Sequence, residues 1–371
     1  MFSGRSQNGV KVQMKGLVLS GGYGTRLRPL THTGPKQLIP IANKPNIQYC
    51  IEDLRDAGIT DIGIILGNVM PEKVQEYLGD GSKLGVKFTY IVQGEPKGIA
   101  HAVWCAKEFM GKDPFVMYLG DNLLKNGIRA IPKMMVDEKA DCVISLMPVA
   151  EPQRYGIAEL SEDGKKVLRC VEKPKQPKSN LAVIGVYAFN HRFFEVYPKL
   201  KPSWRNEMEI TDAISLLIDS GFKVVPHRVE GWWKDTGKPE DILEANHLIL
   251  DMIQSSNEGK VEDGASVVGR VKIGKGTIIA GGSVVKGPSI IGENCKIGPN
   301  AYIGPYTAVG DRCEVARAEV DDSIVMDDTV INVERKIVRS MIGKGSKILS
   351  ANGLLPKGER LVVGENTALY L

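Results

Sequence analysis

A short apolar run, Leu17, Val18 and Leu19, ends at Ser20 and gives way to Gly21, Gly22 and Gly24. Thr25, Arg26, Arg28, Pro35 and Lys36 follow within a few residues. A run of that kind reads as a buried strand, and glycines after it let backbone N–H groups approach a ligand without side-chain interference. Free amides flanked by fixed cations are the combination that holds a polyphosphate. Two familiar phosphate loops are excluded. Gly22-Tyr23-Gly24-Thr25-Arg26 lacks the third glycine of the dinucleotide fingerprint, and no acidic residue stands where a ribose would be held. The Walker lysine is missing as well, since no Gly-Lys-Ser or Gly-Lys-Thr follows the loop.

Such a loop needs a sheet to hold it. From Lys15 to about Asn246, β-rich runs (Ile62 to Leu66, Phe115 to Leu119, Val143 to Leu146, Val183 to Phe189) alternate with stretches of helical period (Ile47 to Ala57, Ile99 to Met110). The alternation predicts an α/β fold, a mostly parallel Rossmann-like sheet with helices on both faces. Ligands of such sheets bind beyond the carboxyl ends of the strands, where the glycine loop and Gly120-Asp121-Asn122 both fall. A helix from about Pro239 to Ile253 leads into residues 254–260, predicted to be a linker. The first domain is therefore predicted over 14–253.

Beyond the linker the period changes. Val261, Val267, Ile273, Ile279, Val285, Ile291, Ile297, Ile303, Val309 and Val315 are aliphatic at strict six-residue spacing. Four residues after each comes a mostly small side chain, among them Ala265, Thr277, Ser283, Ser289, Cys295, Ala301, Thr307 and Cys313, with Val271 and Glu319 as exceptions. This hexapeptide repeat resembles the left-handed parallel β-helix, in which three hexapeptides make one triangular coil around stacked aliphatic residues. Gly274, Gly292, Gly298, Gly304 and Gly310, each directly after an aliphatic position, fit tight corners. The register is lost after Val315 and partly resumes at Ile342 and Ile348, which predicts an interrupted coil and a non-repetitive end from about Gly353. The second domain is predicted over 261–371.

With 371 residues, 43% hydrophobic, two domains are the natural prior. The net charge of +4 comes from well-mixed acids and bases, so no nucleic-acid-binding face is expected. No apolar stretch reaches membrane-spanning length. Six cysteines form no Cys-x-x-Cys pair and read as reduced thiols of a cytoplasmic protein. Residues 1–13 carry no apolar signal core and are expected to be an extension outside the fold.

The string from Gly22 through Lys36, Gly-x-Gly-Thr-Arg-Leu-x-Pro-Leu-Thr followed by Pro35-Lys36, resembles the signature of the sugar-nucleotidyltransferases. These enzymes join a nucleoside triphosphate to a sugar 1-phosphate and release pyrophosphate. The resemblance implies nucleotide binding by Leu19, Ser20, Gly21, Gly22, Gly24, Thr25, Arg26, Gln37, Gln93, Pro96, Gly98, Gly120 and Asp121. It implies magnesium at Asp121 and, through Trp233-Lys234-Asp235-Thr236-Gly237, at Asp235. Arg26 and Lys36 complete the implied catalytic set. The sugar phosphate is implied at Tyr155, Gly156, Glu172, Lys173, Val183, Gly185 and Arg205. Pro35-Lys36-Gln37-Leu38 and the C-terminal half are similar to the long-form glucose-1-phosphate thymidylyltransferases, which implies dTTP and glucose 1-phosphate as substrates and a homo-oligomer built through the β-helix. The open alternatives are a UTP-using enzyme, a bifunctional enzyme that also transfers acetyl groups, and a non-catalytic regulatory homologue.

Overall fold

The computed structural model describes residues 14–350 and 363–370. The expected extension, 1–13, and most of the expected non-repetitive end lie outside the described residues. The chain divides into two compact units. Among the described residues, one comprises 14–23, Gly34–Leu38 and Asn46–Asp235, and the other Gly24–Thr33, Ile39–Pro45 and those from Thr236 onward.

The first unit is a nine-stranded sheet. Its strands are β1 (Lys15–Ser20), β2 (Asp61–Leu66), β3 (Lys87–Val92), β4 (Phe115–Leu119), β6 (Cys142–Pro148), β7 (Gly156–Leu160), β8 (Val167–Glu172), β9 (Leu181–Phe189) and β10 (Val224–Arg228). A separate two-stranded ladder pairs β5 (Asn122–Leu124) with β11 (Trp233–Asp235). The main order is β8-β7-β9-β4-β1-β2-β3, with β6 on β9 and β10 on β6. The sheet is parallel over β4, β1, β2 and β3, the expected arrangement around the glycine loop. Beyond β4 it becomes mixed, because β9 runs antiparallel to β4, β6 and β7. β7 and β8 are joined by the tight turn 161–166, and so short a connection can link only antiparallel strands.

The central strands are apolar on both faces because helices cover both. Along β1, Leu17 and Leu19 point into one core with Phe115, Met117 and the helix α2 (Ile99–Cys105). Val18 points into the other, with Ile62, Ile64 and the helix α1 (Asn46–Asp56). The helix expected from Ile99 to Met110 is broken at Ala106 into α2 and a short turn of helix, Lys107–Met110.

The second unit contains three parallel sheets of six, six and five short strands, the faces of a left-handed parallel β-helix. The inward ladder is the predicted aliphatic one, with Ile279, Val285, Ile297, Ile303, Val309 and Val315 fully buried. Cys295 and Cys313 occupy the same position in successive coils, since Lys296 pairs with Glu314 and Ile297 with Val315. Both thiols are buried and free.

Three expectations are corrected. First, pairing begins at Ser256–Asn257, which lies against Lys272–Ile273, so the stretch 254–260 is already part of the first coil. Second, the coil is not interrupted after Val315. It continues through Val320, Val325, Ile331, Ile337, Ile342 and Ile348, with Ile303 beside Val320, Val309 beside Val325 and Ile331 beside Ile348. Five-residue steps drop one residue at a corner while the aliphatic side chain stays inside, which hides the period from a six-residue count. Third, four of the five glycines directly after the aliphatic positions, Gly274, Gly292, Gly304 and Gly310, serve close approach between coils, and only Gly298 is itself left-handed, φ +113°. A Cβ on Gly274 would lie 2.5 Å from the Gly292 carbonyl oxygen, whereas the left-handed corner residues come two positions later, at Gly276, Asn294 and Arg312.

The helix α3 (Pro239–Leu250) packs in this unit together with the segment Ile39–Pro45. Asn246, fully buried on α3, explains the attachment. Its carbonyl oxygen accepts the Ala42 N–H at 2.9 Å, and its amide donates to the Tyr306 carbonyl at 2.9 Å. Leu250 packs with Ala42, Ile290 and Ala308.

Candidate active site

The end of β1 is unusually crowded with backbone. Gly67, directly after β2, donates its N–H to the Ser20 carbonyl at 3.2 Å, and a Cβ there would come within 2.8 Å of the Gly21 Cα. Gly22 holds φ +93°, a left-handed value that favours glycine. Gln37, 1% exposed, donates its side-chain amide to the Gly21 carbonyl at 2.9 Å. Its own carbonyl oxygen, Oε1, is buried without a hydrogen-bond partner, as is the Ser20 hydroxyl. The Gln93 carboxamide oxygen stands 3.1 Å from where a Cβ on Gly21 would lie, so its polar end faces the loop. Gly98 is fixed by the neighbouring backbone, where Met208 donates to the Lys97 carbonyl at 2.7 Å and leaves no room for a Cβ. Pro96 is exposed between them.

β4 delivers the carboxylate. Gly120 N–H donates to the Leu19 carbonyl at 3.0 Å, which ties the turn before Asp121 to the end of β1. Lys36 forms an ion pair with Asp121 Oδ2, and Asn122 donates to Oδ1 at 3.0 Å. Burial acts to raise the Asp121 pKa, but the Lys36 ammonium and these hydrogen bonds outweigh it and hold the carboxyl below its ordinary value. Asn122 in turn accepts from Trp233 Nε1 at 2.6 Å. The β5–β11 ladder sets Asp235 opposite Asn122, so two aspartates far apart in sequence meet on adjacent backbone positions. Gly185 lies against the Asn122 side chain, where a Cβ would be 2.5 Å from Oδ1. The β6–β9 register shifts between Val183 and Tyr187, across this glycine.

A second polar cluster gathers the residues of the implied sugar side. Glu172 ends β8 and accepts from Arg205 at 3.3 Å and from Thr211 at 3.3 Å, with the Lys173 ammonium at 3.8 Å. Arg205 also reaches Glu207 at 2.9 Å and Glu209 at 3.5 Å. Burial, and next the Glu209 carboxylate, push the Glu172 pKa up against the opposing pull of Lys173, Arg205 and Thr211. Gly156 lies under this cluster, with room for no Cβ beside Thr211 and Glu172. Tyr155 packs edge-on against Trp233 at 5.6 Å, which links the cluster to the aspartate ladder. Val183 is buried in the core beneath.

Gly24, Thr25 and Arg26 belong to the coil unit. Gly24 is left-handed, Thr31 donates its hydroxyl to the Gly24 carbonyl at 2.8 Å, and the Arg26 guanidinium lies beside Gly237, 2.9 Å from a Cβ position there. Motif reading missed Gly67, Asn122, Thr211, Glu209 and Trp233 as positioning residues. Each except Gly67 stands within or beside a quoted motif. Gly67 carried the signal of a glycine directly after a buried strand.

A mixed α/β sheet with a glycine loop and a lysine–aspartate pair at its strand ends, a second aspartate on the separate two-stranded ladder, and a parallel β-helix later in the chain define a sugar-nucleotide type of nucleotidyltransferase. The chain belongs to the nucleotidyl transferase family, whose description matches residues 15–252. Residues 285–368 match the GMPPB C-terminal domain. It is 51% identical to the low-salt glycan biosynthesis nucleotidyltransferase Agl11 of Haloferax volcanii, over 96% of this chain and 100% of that one. It is 42% identical to a glucose-1-phosphate thymidylyltransferase of Streptomyces antibioticus, over 96% of this chain and 99% of that one. Among solved structures, a Bacillus anthracis protein described as a glucose-1-phosphate thymidylyltransferase in complex with sucrose matches at 37% identity and a TM-score of 0.61. That match covers 66% of this chain and 98% of the other.

Proposed function

We propose that the protein transfers a nucleotidyl group from dTTP to glucose 1-phosphate, giving dTDP-glucose and pyrophosphate. The observation that carries the reading is the Lys36–Asp121 pair set at the foot of the glycine loop, with Asp235 laddered beside Asn122. No protein nucleophile is needed. An oxygen of the sugar phosphate attacks the α-phosphorus in line, the bond to the bridging oxygen breaks, and pyrophosphate leaves with that electron pair. The protein positions the two anions and neutralises charge that builds in transit. The loop amides at Gly21 and Gly22 hold the triphosphate, and Lys36 sits by the group in flight. Gln37 and Gln93 offer amide groups to the base, and Glu172, Lys173 and Arg205 take the hydroxyls and phosphate of the sugar.

Asp121 and Asp235 supply only oxygen donors, and among the described residues no group of three acidic, histidine or cysteine side chains gathers to hold a metal. That donor set fits magnesium, which is commonly bound by one or two carboxylates with water and phosphate oxygens completing its shell. When bound there the ion would neutralise charge on the triphosphate.

UTP is the alternative donor, because thymine and uracil differ by one methyl, worth about 1–3 kcal/mol of discrimination. The bifunctional alternative is disfavoured by one fact. The coil strands themselves carry no histidine, since none follows His247, and acyl transfer normally uses such a near-neutral base; His247, in the same unit, is already engaged by Asp322 and Tyr306. We read the coil instead as a structural and oligomerising domain of a cytoplasmic enzyme. The test is pyrophosphate release over a matrix of four nucleoside triphosphates and several sugar 1-phosphates, with dTTP and glucose 1-phosphate expected to turn over fastest. Silence across the matrix would favour a non-catalytic homologue. Thiol release from acetyl-CoA with glucosamine 1-phosphate would restore the bifunctional reading.

A further inference from the structure

Among the described residues Trp204, 81% exposed, is the most exposed large apolar side chain before the C-terminal stretch. A single surface apolar residue is ordinary, but this one is held on a turn tied down from every side. Asn206 N–H donates to the Ser203 carbonyl at 2.8 Å, Ser203 N–H to the Glu207 carbonyl at 2.8 Å, and Arg205 N–H to the Ser203 hydroxyl at 3.1 Å. The Ser203 hydroxyl donates to Glu209 at 2.8 Å, and Asn206 takes the left-handed conformation, φ +60°, that closes the turn. The indole is therefore carried on a fixed support rather than on a floppy loop.

The support is shared with the sugar-side cluster. Arg205, the next residue of the same turn, reaches Glu172, Glu207 and Glu209. Consecutive Cα atoms are about 3.8 Å apart, so the indole is attached to the backbone one residue from the guanidinium that closes the cluster. The cluster is entirely polar, supplying carboxylates, cations and hydroxyls. A pyranose is two-natured: its hydroxyls want such partners, while its ring C–H groups present an apolar face that gains from contact with an aromatic plane.

We propose that Trp204 is the platform for the apolar face of the pyranosyl 1-phosphate acceptor, whose hydroxyls would meet the Glu172–Arg205 cluster. The inference rests on the sugar-nucleotide transfer proposed above and adds a specificity-determining residue to it. Trp204→Ala in the full-length protein should raise KM for glucose 1-phosphate about tenfold, the equivalent of losing about 1.4 kcal/mol of binding. KM for the nucleoside triphosphate should stay within about twofold of the parent value, and Trp204→Phe, which keeps an aromatic plane, should recover most of the loss. A readout independent of turnover is tryptophan emission. Glucose 1-phosphate added with an α,β-imido triphosphate analogue should change it in the parent protein. The change should shrink in Trp204→Phe to whatever Trp233, which bonds Asn122 and packs on Tyr155, contributes. Unchanged KM for the sugar in Trp204→Ala, with the emission change intact in Trp204→Phe, would overturn the proposal while leaving nucleotidyl transfer standing. A shifted sedimentation coefficient in Trp204→Ala with unchanged KM would overturn it in favour of a subunit contact. Absence of pyrophosphate release by the parent protein with every sugar 1-phosphate would instead remove the reading on which it rests.

Discussion

Inside the coil unit, buried hydroxyl groups find partners in the repeat itself. Thr277 donates to the Gly292 carbonyl and accepts from Cys295 N–H, Ser289 donates to the Gly304 carbonyl, Ser283 accepts from Ala301 N–H, and Thr329 donates to the Gly343 carbonyl. In the sheet unit, Ser20 Oγ, Gln37 Oε1, Ser145 Oγ and His227 Nδ1 are buried with no hydrogen-bond partner. A stack of similar coils brings the same backbone groups past every inward hydroxyl, so satisfying one satisfies its successors. A sheet whose strand ends receive a ligand has no such symmetry. Leaving a buried polar atom without a partner costs about 1–3 kcal/mol, a cost that on the proposed function the bound nucleotide would offset at Ser20 and Gln37 beside the glycine loop. Ser145 and His227, partners in the β6–β10 register, are not explained by that argument, and nothing else in the structure accounts for them.

The comparison breaks most visibly if chemistry and stability do not separate between the two regions. Asp121→Asn and Asp235→Asn should each abolish magnesium-dependent pyrophosphate release with the melting transition retained, and Lys36→Ala should lower turnover by at least about a hundredfold. Normal turnover at saturating magnesium in either aspartate variant would end the metal assignment, and a rise in KM alone for Lys36→Ala would demote that residue to substrate binding. The coil counterpart is Ile297→Ala. Ile297 is fully buried in the aliphatic ladder, so the cavity should cost about 2–5 kcal/mol in denaturant unfolding while turnover below the transition is unchanged.

Hydroxyl deletion sharpens the contrast at smaller scale. Thr277→Val strands the Cys295 N–H and should cost about 1–3 kcal/mol. Ser145→Ala deletes a hydroxyl that bonds nothing and should be neutral or slightly stabilising. Equal losses at both positions, read by the same unfolding titration, would contradict the distinction drawn between the regions.

The smallest expected effect is the pH dependence at His227. Burial lowers its pKa, against the Glu230 carboxylate, which raises it. The folded state then keeps the ring neutral where the unfolded chain takes up a proton. Its contribution to stability is present above the ordinary value of about 6.5 and is lost as pH falls through it. His227→Gln should flatten the decline in melting temperature between about pH 7.5 and pH 5.5, and an identical decline in both proteins would show that burial at His227 plays no part.

Much of this contrast was legible in the chain. The aliphatic six-residue ladder announced the coil, because a closed repeat must place the same side-chain class inward at every turn. The glycine loop and its cations pointed to an anion site, the reading on which the proposed function rests, because few other arrangements place bare backbone beside fixed positive charge. Five-residue steps hid the coil beyond Val315, since period counting registers residues and not inward direction. Asn122 and Trp233 were hidden as partners because a side-chain hydrogen bond between strands leaves no trace in spacing.

Local sequence therefore determined the kinds of surface this protein would build: an apolar strand that ends in glycines, a periodic coil, and helices with one apolar face. These follow from side-chain size, periodicity and backbone freedom over a few residues, which a linear reading can count. Which groups became neighbours was left to the tertiary structure. The meeting of Lys36 with Asp121, of Asp235 with the Asn122 backbone, of Arg205 with Glu172, and of Asn246 with both Ala42 and Tyr306 depends on strand order and register. Those are set by the cooperative packing of two apolar cores and by the need to pair every buried backbone group, conditions that no short stretch of chain contains.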